Sequence, residues 1–314
     1  MHGPPVSAYD VVVVGGGAAG LSAALVLGRA RRRVAVVDAG APRNAPATHM
    51  QGFLSRDGMS PVELLAVGRS EAARYAVEFV EDCVVAIDDG FDVHLAAGGV
   101  VQARRILLAT GVRDELPELP GVRERWAKDL LHCPYCHGWE VRDRPLGVLG
   151  THPGSVQHAH LVRQWSDDVV FFVHTYALSA AEEGALEARG VRVVHGEVAR
   201  LVLENDRLAG VELTDGRVFA RAAVFVRPHN LPHADGLAAG LGCDVDGTGF
   251  VVVDATGRTS AYGVWAAGNV VDPRAQVITA AGAGSAAAID INADLLLEDV
   301  AHAKSHATAA PTAR

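Results

Sequence analysis

Tyr9-Asp-Val-Val-Val-Val-Gly15-Gly-Gly-Ala-Ala-Gly20 runs on through Leu21-Ser-Ala-Ala-Leu-Val-Leu-Gly-Arg29 to Arg33-Val-Ala-Val-Val-Asp38. The order reads as strand, glycine turn, helix and second strand. Gly15 permits the tight exit from the strand, Gly17 lets a pyrophosphate approach the backbone, and Gly20 lets the helix pack against the sheet. The free N–H groups of the first helical turn, at Ala18 and Ala19, together with the positive helix end, suit phosphates. Asp38 ends the second strand, where a carboxylate accepts hydrogen bonds from an adenosine ribose. A bare glycine pattern would imply only a tight turn. With strand, helix and acid in place it implies a dinucleotide-binding unit.

A second unit of the same kind begins at Leu146-Gly-Val-Leu149, turns at Gly150 to Gly154, continues as a helix to about Trp165 and ends in the strand Val169-Val-Phe-Phe-Val173. Hairpin signals follow at Asn205-Asp206 and Asp215-Gly216, flanked by alternating apolar residues. The C-terminal third offers Phe250-Val-Val-Val-Asp254, Gly263-Val-Trp-Ala-Ala-Gly268 and a small-residue helix from about Gln276 to Leu297. The last dozen residues are expected to fray. The fold class is therefore α/β, with two Rossmann-like three-layer domains.

With 314 residues, two domains can each bury a core. The hydrophobic share of 49% with only 5% aromatic residues suits interleaved strands and helices rather than a disulfide-stapled fold. A formal charge of −9 gives no electrostatic basis for binding nucleic acid or an anionic membrane. The basic run Arg29 to Arg33 is expected to be a solvated turn. No charged opening followed by an apolar run marks a signal peptide or membrane span, so a cytoplasmic protein is expected.

Four cysteines do not make a structural framework in a chain of this size. Cys133-Pro-Tyr-Cys136 spaces two sulfurs for a disulfide within one helical turn, and Pro134 suits a first helical position. A cysteine at a helix N-terminus gains thiolate character, which disulfide exchange requires. The competing reading is half a zinc site with His132 or His137, but Cys83 and Cys243 are lone and far apart. No metal is expected, and both lone cysteines read as bystanders.

Taken together, Gly15 to Gly20, Ala109-Thr110-Gly111, the CxxC, and Gly263-Val-Trp-Ala-Ala-Gly-Asn-Val-Val-Asp272 with Gln276-Val-Ile-Thr-Ala-Ala-Gly282 resemble low-molecular-weight thioredoxin reductase over nearly the whole chain. The resemblance implies a split FAD-binding domain at 1–116 and 231–314, a nicotinamide-type domain inserted at 117–230 and carrying the CxxC, and a homodimer. It also implies that Cys136 meets the flavin and Cys133 exchanges with substrate. Gly268 and Asn269 would lie at the flavin. Asn269 stands where the family usually has Asp for the ribityl chain, and Gln276 and Val277 would bring a helix N-terminus to the flavin's pyrimidine edge.

Two departures redirect the functional expectation. Where a nicotinamide domain needs its own glycine turn, the chain reads Gly150-Thr-His-Pro-Gly-Ser155. His152 would stand where a pyrophosphate lies, and Pro153 removes a backbone donor. The reductases' cationic grip on the 2′-phosphate of NADPH is replaced by His174-Thr-Tyr-Ala177. NAD(P)H is therefore expected not to bind. The second departure is at the cysteines, where Cys133-Pro-Tyr-Cys-His-Gly-Trp-Glu140 has His in place of the reductases' Asp after the second cysteine. This stretch is similar to the flavin-dependent dithiol oxidases that close disulfides in secondary metabolites such as holomycin, gliotoxin and romidepsin.

That resemblance implies a catalytic Cys133–Cys136 pair, with His137 as the base that takes a thiol proton. The bland alternative makes His137 a helix cap. Glu140 would either orient His137 or be a surface carboxylate. The expected activity is oxidation of a small-molecule dithiol, with electrons passing through FAD to O2 and giving H2O2. NADPH-dependent thioredoxin reduction and a non-catalytic flavin sensor are the alternatives. The intact CxxC counts against the sensor.

Overall fold

A computed structural model describes residues 9–233 and 236–309. The eight N-terminal residues, read as lacking a signal sequence, and residues 310–314 of the expected tail lie outside the described residues.

The chain opens with β1 (Tyr9–Val14), α1 (Ala18–Arg29), β2 (Val34–Asp38) and α2 (Pro61–Ala73). Next come β3 (Glu78–Glu81), β4 (Val84–Ile87), β5 (Asp92–Leu95), β6 (Val100–Leu108) and β7 (Arg113–Glu115). There follow α3 (Val122–Arg125), β8 (Leu130–Leu131), α4 (Pro134–His137), β9 (Leu146–Leu149), α5 (Gly154–Val162), β10 (Val169–Phe172) and α6 (Ala180–Ala188). Strands β11 (Val191–Val194), β12 (Val198–Glu204), β13 (Arg207–Leu213), β14 (Val218–Ala220), β15 (Ala223–Phe225) and β16 (His229–Leu231) come next. The chain ends with α7 (Leu237–Gly240), β17 (Val264–Ala266), a 3-10 turn at Gly268–Val270 and α8 (Val277–Ala309).

Two compact units form. The first comprises Met1–Arg43, Val62–Arg113 and Leu231–Arg314, and the second Asn44–Pro61 and Asp114–Asn230. In the first, β3-β2-β1-β6 is parallel, β17 joins β6 in parallel, and β5 and β4 extend the sheet antiparallel. Val11, Val13, Val34 and Val36 bury one sheet face with α1 and α8, while Val12, Val14, Ala35 and Val37 bury the other. Such near-continuous apolar strands belong to a sheet covered on both faces. The second unit has the parallel sheet β11-β10-β9-β15-β8, with a separate meander β12-β13-β14. The architecture is a two-domain Rossmann fold.

Small residues let α8 lie on α1. A Cβ at Gly284 would stand 2.0 Å from the Ala19 carbonyl oxygen. Ion pairs then fix the far end of α8. Arg105 is almost fully buried and binds Asp294 at 2.7 Å as well as Glu298, while Arg104 reaches Asp10 and Asp299.

Several expectations change. Asn44–Pro61 does not group with the rest of residues 1–116 but with the second unit. The segment carries no apolar periodicity; it folds through hydrogen bonds from Met50 N to Met59 O and from Gly58 N to Met50 O. Phe250 to Asp254 is not a strand and makes only an isolated bridge between Val245 and Val251. Asp246 and Asp254 capture the N–H groups of Phe250 and Arg258, so side-chain turns displace the ladder. The expected frayed tail is helical to Ala309, in keeping with its alanine content. Arg32 of the basic run is no solvated turn residue, because it bonds Asn292 and Asp299 on α8.

Burial pushes the carboxyls of Asp294, Glu298 and Asp299 upward, but hydrogen bonds and charge from Arg32, Arg104, Arg105 and Arg258 outweigh it, and all three lie below the usual range. Groups so depressed add stability above their unfolded pKa and lose it as pH falls through the folded value. The melting temperature should therefore drop as pH falls through about 4 and below. Arg105→Met should lower stability at pH 7 by about 3 kcal/mol or less, since the carboxylates stay partly exposed. The variant should also flatten the acid limb. Thermal melts from neutral to acidic pH check both.

Candidate active site

The first glycine turn sits where β1, β6 and β17 end together, with Val14 beside Leu108 and Leu108 beside Ala266. Gly15 has φ +106°, and a Cβ there would meet the Ala109 carbonyl oxygen at 2.4 Å. A Cβ on Gly20 would lie 1.9 Å from Gly15 O. Gly17 differs: its missing Cβ points at nothing within 4 Å. It is the N-cap of α1 and offers no side-chain cap, so the first-turn N–H groups at Ala18 and Ala19 face an open cradle.

Ala109, Thr110 and Gly111 follow β6, with Ala109 N donating to Val14 O at 2.8 Å. Gly268 has φ +83°, and a Cβ there would approach the Ala19 Cβ at 2.9 Å. Asn269 Nδ2 donates to Asp272 O and Ala275 O at 2.9 and 3.0 Å. Its Oδ1 is left to accept. Gln276 O accepts Ala280 N as α8 starts at Val277, so this loop leads directly into that helix N-terminus.

Asp38 is more engaged than its sequence position suggests. Its Oδ1 accepts Gly16 N at 2.9 Å, and its Oδ2 pairs with Arg69. A Cβ on Gly16 would strike the Asp38 carboxyl at 2.8 Å, a constraint that the glycine pattern did not reveal. An ionised carboxylate has about four lone-pair sites, so capacity for ribose hydroxyls remains.

The cysteines form a disulfide, with Cα atoms 5.2 Å apart. Cys133 is the N-cap of α4, Pro134 is the first helical residue, and Cys133 Sγ accepts Cys136 N at 3.2 Å. His137 ends the helix. Burial lowers its pKa, the Glu140 charge partly opposes this and His49 adds to it, so the ring is neutral at pH 7. Glu140 does not hold His137 by a hydrogen bond; its carboxylate accepts Gln51 Nε2 at 3.3 Å, from the unexpected Asn44–Pro61 segment. His158, which sequence reading passed over, meets the ring of His132, next to Cys133, edge-on with centroids 6.3 Å apart. Burial foremost, with neighbouring His132, pushes His158 down to about 3, and its Nδ1 has no partner among the described residues.

The second glycine turn, at the ends of β9 and β15 of the same unit, is closed. Thr151 N and His152 N point to Ser155 Oγ at 3.2 and 3.4 Å, and Ser155 N bonds His152 O at 2.9 Å. Gly154 N donates to His152 Nδ1 at 3.0 Å. The Gly154 N–H donated to Nδ1 leaves the His152 ring proton on Nε2. A Cβ on Gly154 would stand 2.7 Å from the Arg227 guanidinium and 2.8 Å from the His152 ring. At the position of the missing cationic grip, His174 Nδ1 accepts Val198 N, and Tyr176 donates to Glu182.

The profile of the pyridine nucleotide-disulphide oxidoreductases matches residues 9–285. The chain belongs to that family. Thioredoxin reductase sirT from Leptosphaeria maculans is 32% identical, over 94% of this chain and 97% of the relative. The crystal structure of HlmI superimposes with a TM-score of 0.93 at 57% identity, covering 96% of each chain. A putative thioredoxin reductase, TrxB from Bacillus anthracis, gives 0.88 at 34% identity, over 93% of this chain and 99% of that one. As a pyridine nucleotide-disulphide oxidoreductase related to proteins of those names, the chain is a flavin-dependent enzyme, and membership implies FAD. The open cradle at Gly17, the uncapped α1 and the spare acceptor of Asn269 fit that cofactor. No helix among the described residues is long and apolar enough to cross a membrane.

Gly17→Val should fold normally, because its side chain meets no protein atom, yet lose the flavin by filling the phosphate approach. Asp38→Ala should retain FAD more weakly, by about 1.5–3 kcal/mol. The flavin-to-protein absorbance ratio after purification, alongside a thermal melt, checks both. Full flavin occupancy in Gly17→Val would contradict the assignment.

Proposed function

We propose that this enzyme is an FAD-dependent dithiol oxidase that closes a disulfide in a small-molecule dithiol and gives H2O2 from O2. The observation that carries the proposal is the closed second turn. A nicotinamide cofactor is held there by backbone N–H groups that approach its pyrophosphate. In this chain Thr151, His152, Gly154 and Ser155 spend those donors on Ser155 and His152, and Pro153 has none. The Tyr176–Glu182 pair puts an acid near the place where a 2′-phosphate would need cations. Electrons therefore enter from a dithiol. NADPH-dependent thioredoxin reduction is the second reading, favoured by the name of the sirT relative.

The residues supply the chemistry in order. Neutral His137 takes the proton of a substrate thiol. The thiolate attacks Cys133 Sγ, breaking the Cys133–Cys136 bond, and Cys136 leaves as a thiolate. The substrate's second thiol then forms the product disulfide and displaces Cys133, whose departing thiolate accepts the Cys136 N–H. Two electrons have passed from the substrate to the cysteine pair, now two thiolates; the first thiol's proton is on His137 and the second thiol's proton has gone to solvent. FAD, when bound at the first turn, supplies the two-electron acceptor that restores the disulfide and reduces O2 to H2O2.

An oxygen electrode tests the proposal. Wild-type enzyme with dithiothreitol should consume one O2 and yield one H2O2 per disulfide formed, and Cys136→Ser should lose this by orders of magnitude. Oxygen uptake that persists in Cys136→Ser, or none in the wild type, would contradict it.

A further inference from the structure

Of the buried side-chain atoms that lack a hydrogen-bond partner among the described residues, two lie about the closed second turn. Thr151 Oγ1 is in the turn itself, and His158 Nδ1 is one helical turn along α5 from Gly154. His158 is only 7% exposed. Native folds leave few such atoms unpaired, and each asks for a cause.

The groups around them are all basic. The space over Gly154, the first residue of α5, is bounded by the Arg227 guanidinium and the His152 ring, 2.7 and 2.8 Å from the position of the missing Cβ. His229 stands against His152 with ring centroids 5.3 Å apart and planes 42° from parallel. The charges that act on His158 are those of His132, Arg227 and His152. Among the described residues, no carboxylate pairs with Arg227, His152, His158 or His229. Asp114, the acid that reaches the residue after His229, accepts Asn230 Nδ2 at 2.7 Å. Helix α5 adds its positive end, which no side chain caps. Cations gathered at a helix N-terminus repel one another, and an anion among them turns that repulsion into attraction.

The donors indicate what kind of anion fits. Arg227 carries a planar fork of N–H groups, and His152, whose Nδ1 accepts the Gly154 N–H, has its Nε2–H to give. Imidazole rings set 42° apart aim their donors out of one plane, which suits a tetrahedral ion better than a flat carboxylate. The turn's own N–H groups are spent on Ser155 and His152, so they are not free to grip the second phosphate of a nucleotide. Arg227 and His152 are partly buried and His229 is exposed, which leaves the cluster open to an ion from solvent.

We propose that Arg227, His152 and His229 form a binding site for one small tetrahedral oxyanion of the phosphate or sulfate class, taken up free rather than as part of a nucleotide. The site stands whichever way electrons pass through the disulfide.

Sulfate is the probe, because its charge does not change across the range tested. It is titrated calorimetrically into the holoenzyme at about pH 6 and about pH 8, at constant ionic strength. Burial foremost, then the charges of Arg227 and His229, holds the His152 pKa down; a bound anion opposes this, so binding takes up a proton. Wild type should bind one sulfate per chain with a dissociation constant of about 1 mM or tighter at the lower pH, and about tenfold more weakly at the higher. Arg227→Met should weaken binding by about tenfold or more. That variant should melt no lower than wild type in sulfate-free buffer, because Arg227 has no acid partner to lose. His229→Gln should bind with a reduced pH dependence. No saturable binding by wild type, equal binding by Arg227→Met, tighter binding at the higher pH, or AMP bound more tightly than sulfate would overturn the proposal.

Discussion

A glycine turn at the head of a Rossmann helix leaves backbone N–H groups that need an acceptor, and the two units meet that need in opposite ways. In the first, Gly17 stands before an uncapped α1, and the acceptor has to come from a ligand. In the second, Ser155 and His152 are the acceptors, and Arg227 and the imidazole crowd the space over Gly154. An unmade buried hydrogen bond costs about 1–3 kcal/mol, so N–H groups that already have acceptors within the turn do not readily leave them for a ligand. The surrounding strands are alike. What differs is who supplies the acceptor.

In the proposed function this contrast sets the direction of electron flow. The second unit keeps its parallel sheet and its cysteine helix, with Cys133 just beyond β8 at the same end of the sheet as the closed turn. Its glycine turn spends its backbone N–H groups on Ser155 and His152, and His137 follows Cys136 at the end of the cysteine helix.

Much of this was legible in the sequence because the decisive signals are local. The turn from Gly15 to Gly20, the start of α4 at Pro134 and the loss of glycine at His152 each lie within a few residues, where propensity and spacing decide. Contacts between distant residues stayed hidden: Arg69 on Asp38, Arg227 over Gly154, and the ring of His158 against that of His132. The Asn44–Pro61 segment carried no periodic pattern to assign it. Phe250 to Asp254 has the composition of a strand, but Asp246 takes the Phe250 N–H, and Val251 N and Asp254 N go to Val270 O and Arg258 O.

Anaerobic mixing of the purified yellow holoenzyme with micromolar NADPH tests the closed turn most directly. The flavin's visible absorbance should stay unchanged over minutes, in the same preparation that a dithiol bleaches. Rapid bleaching by NADPH would show that the turn at His152 admits the nucleotide after all, and would return the enzyme to the reductases.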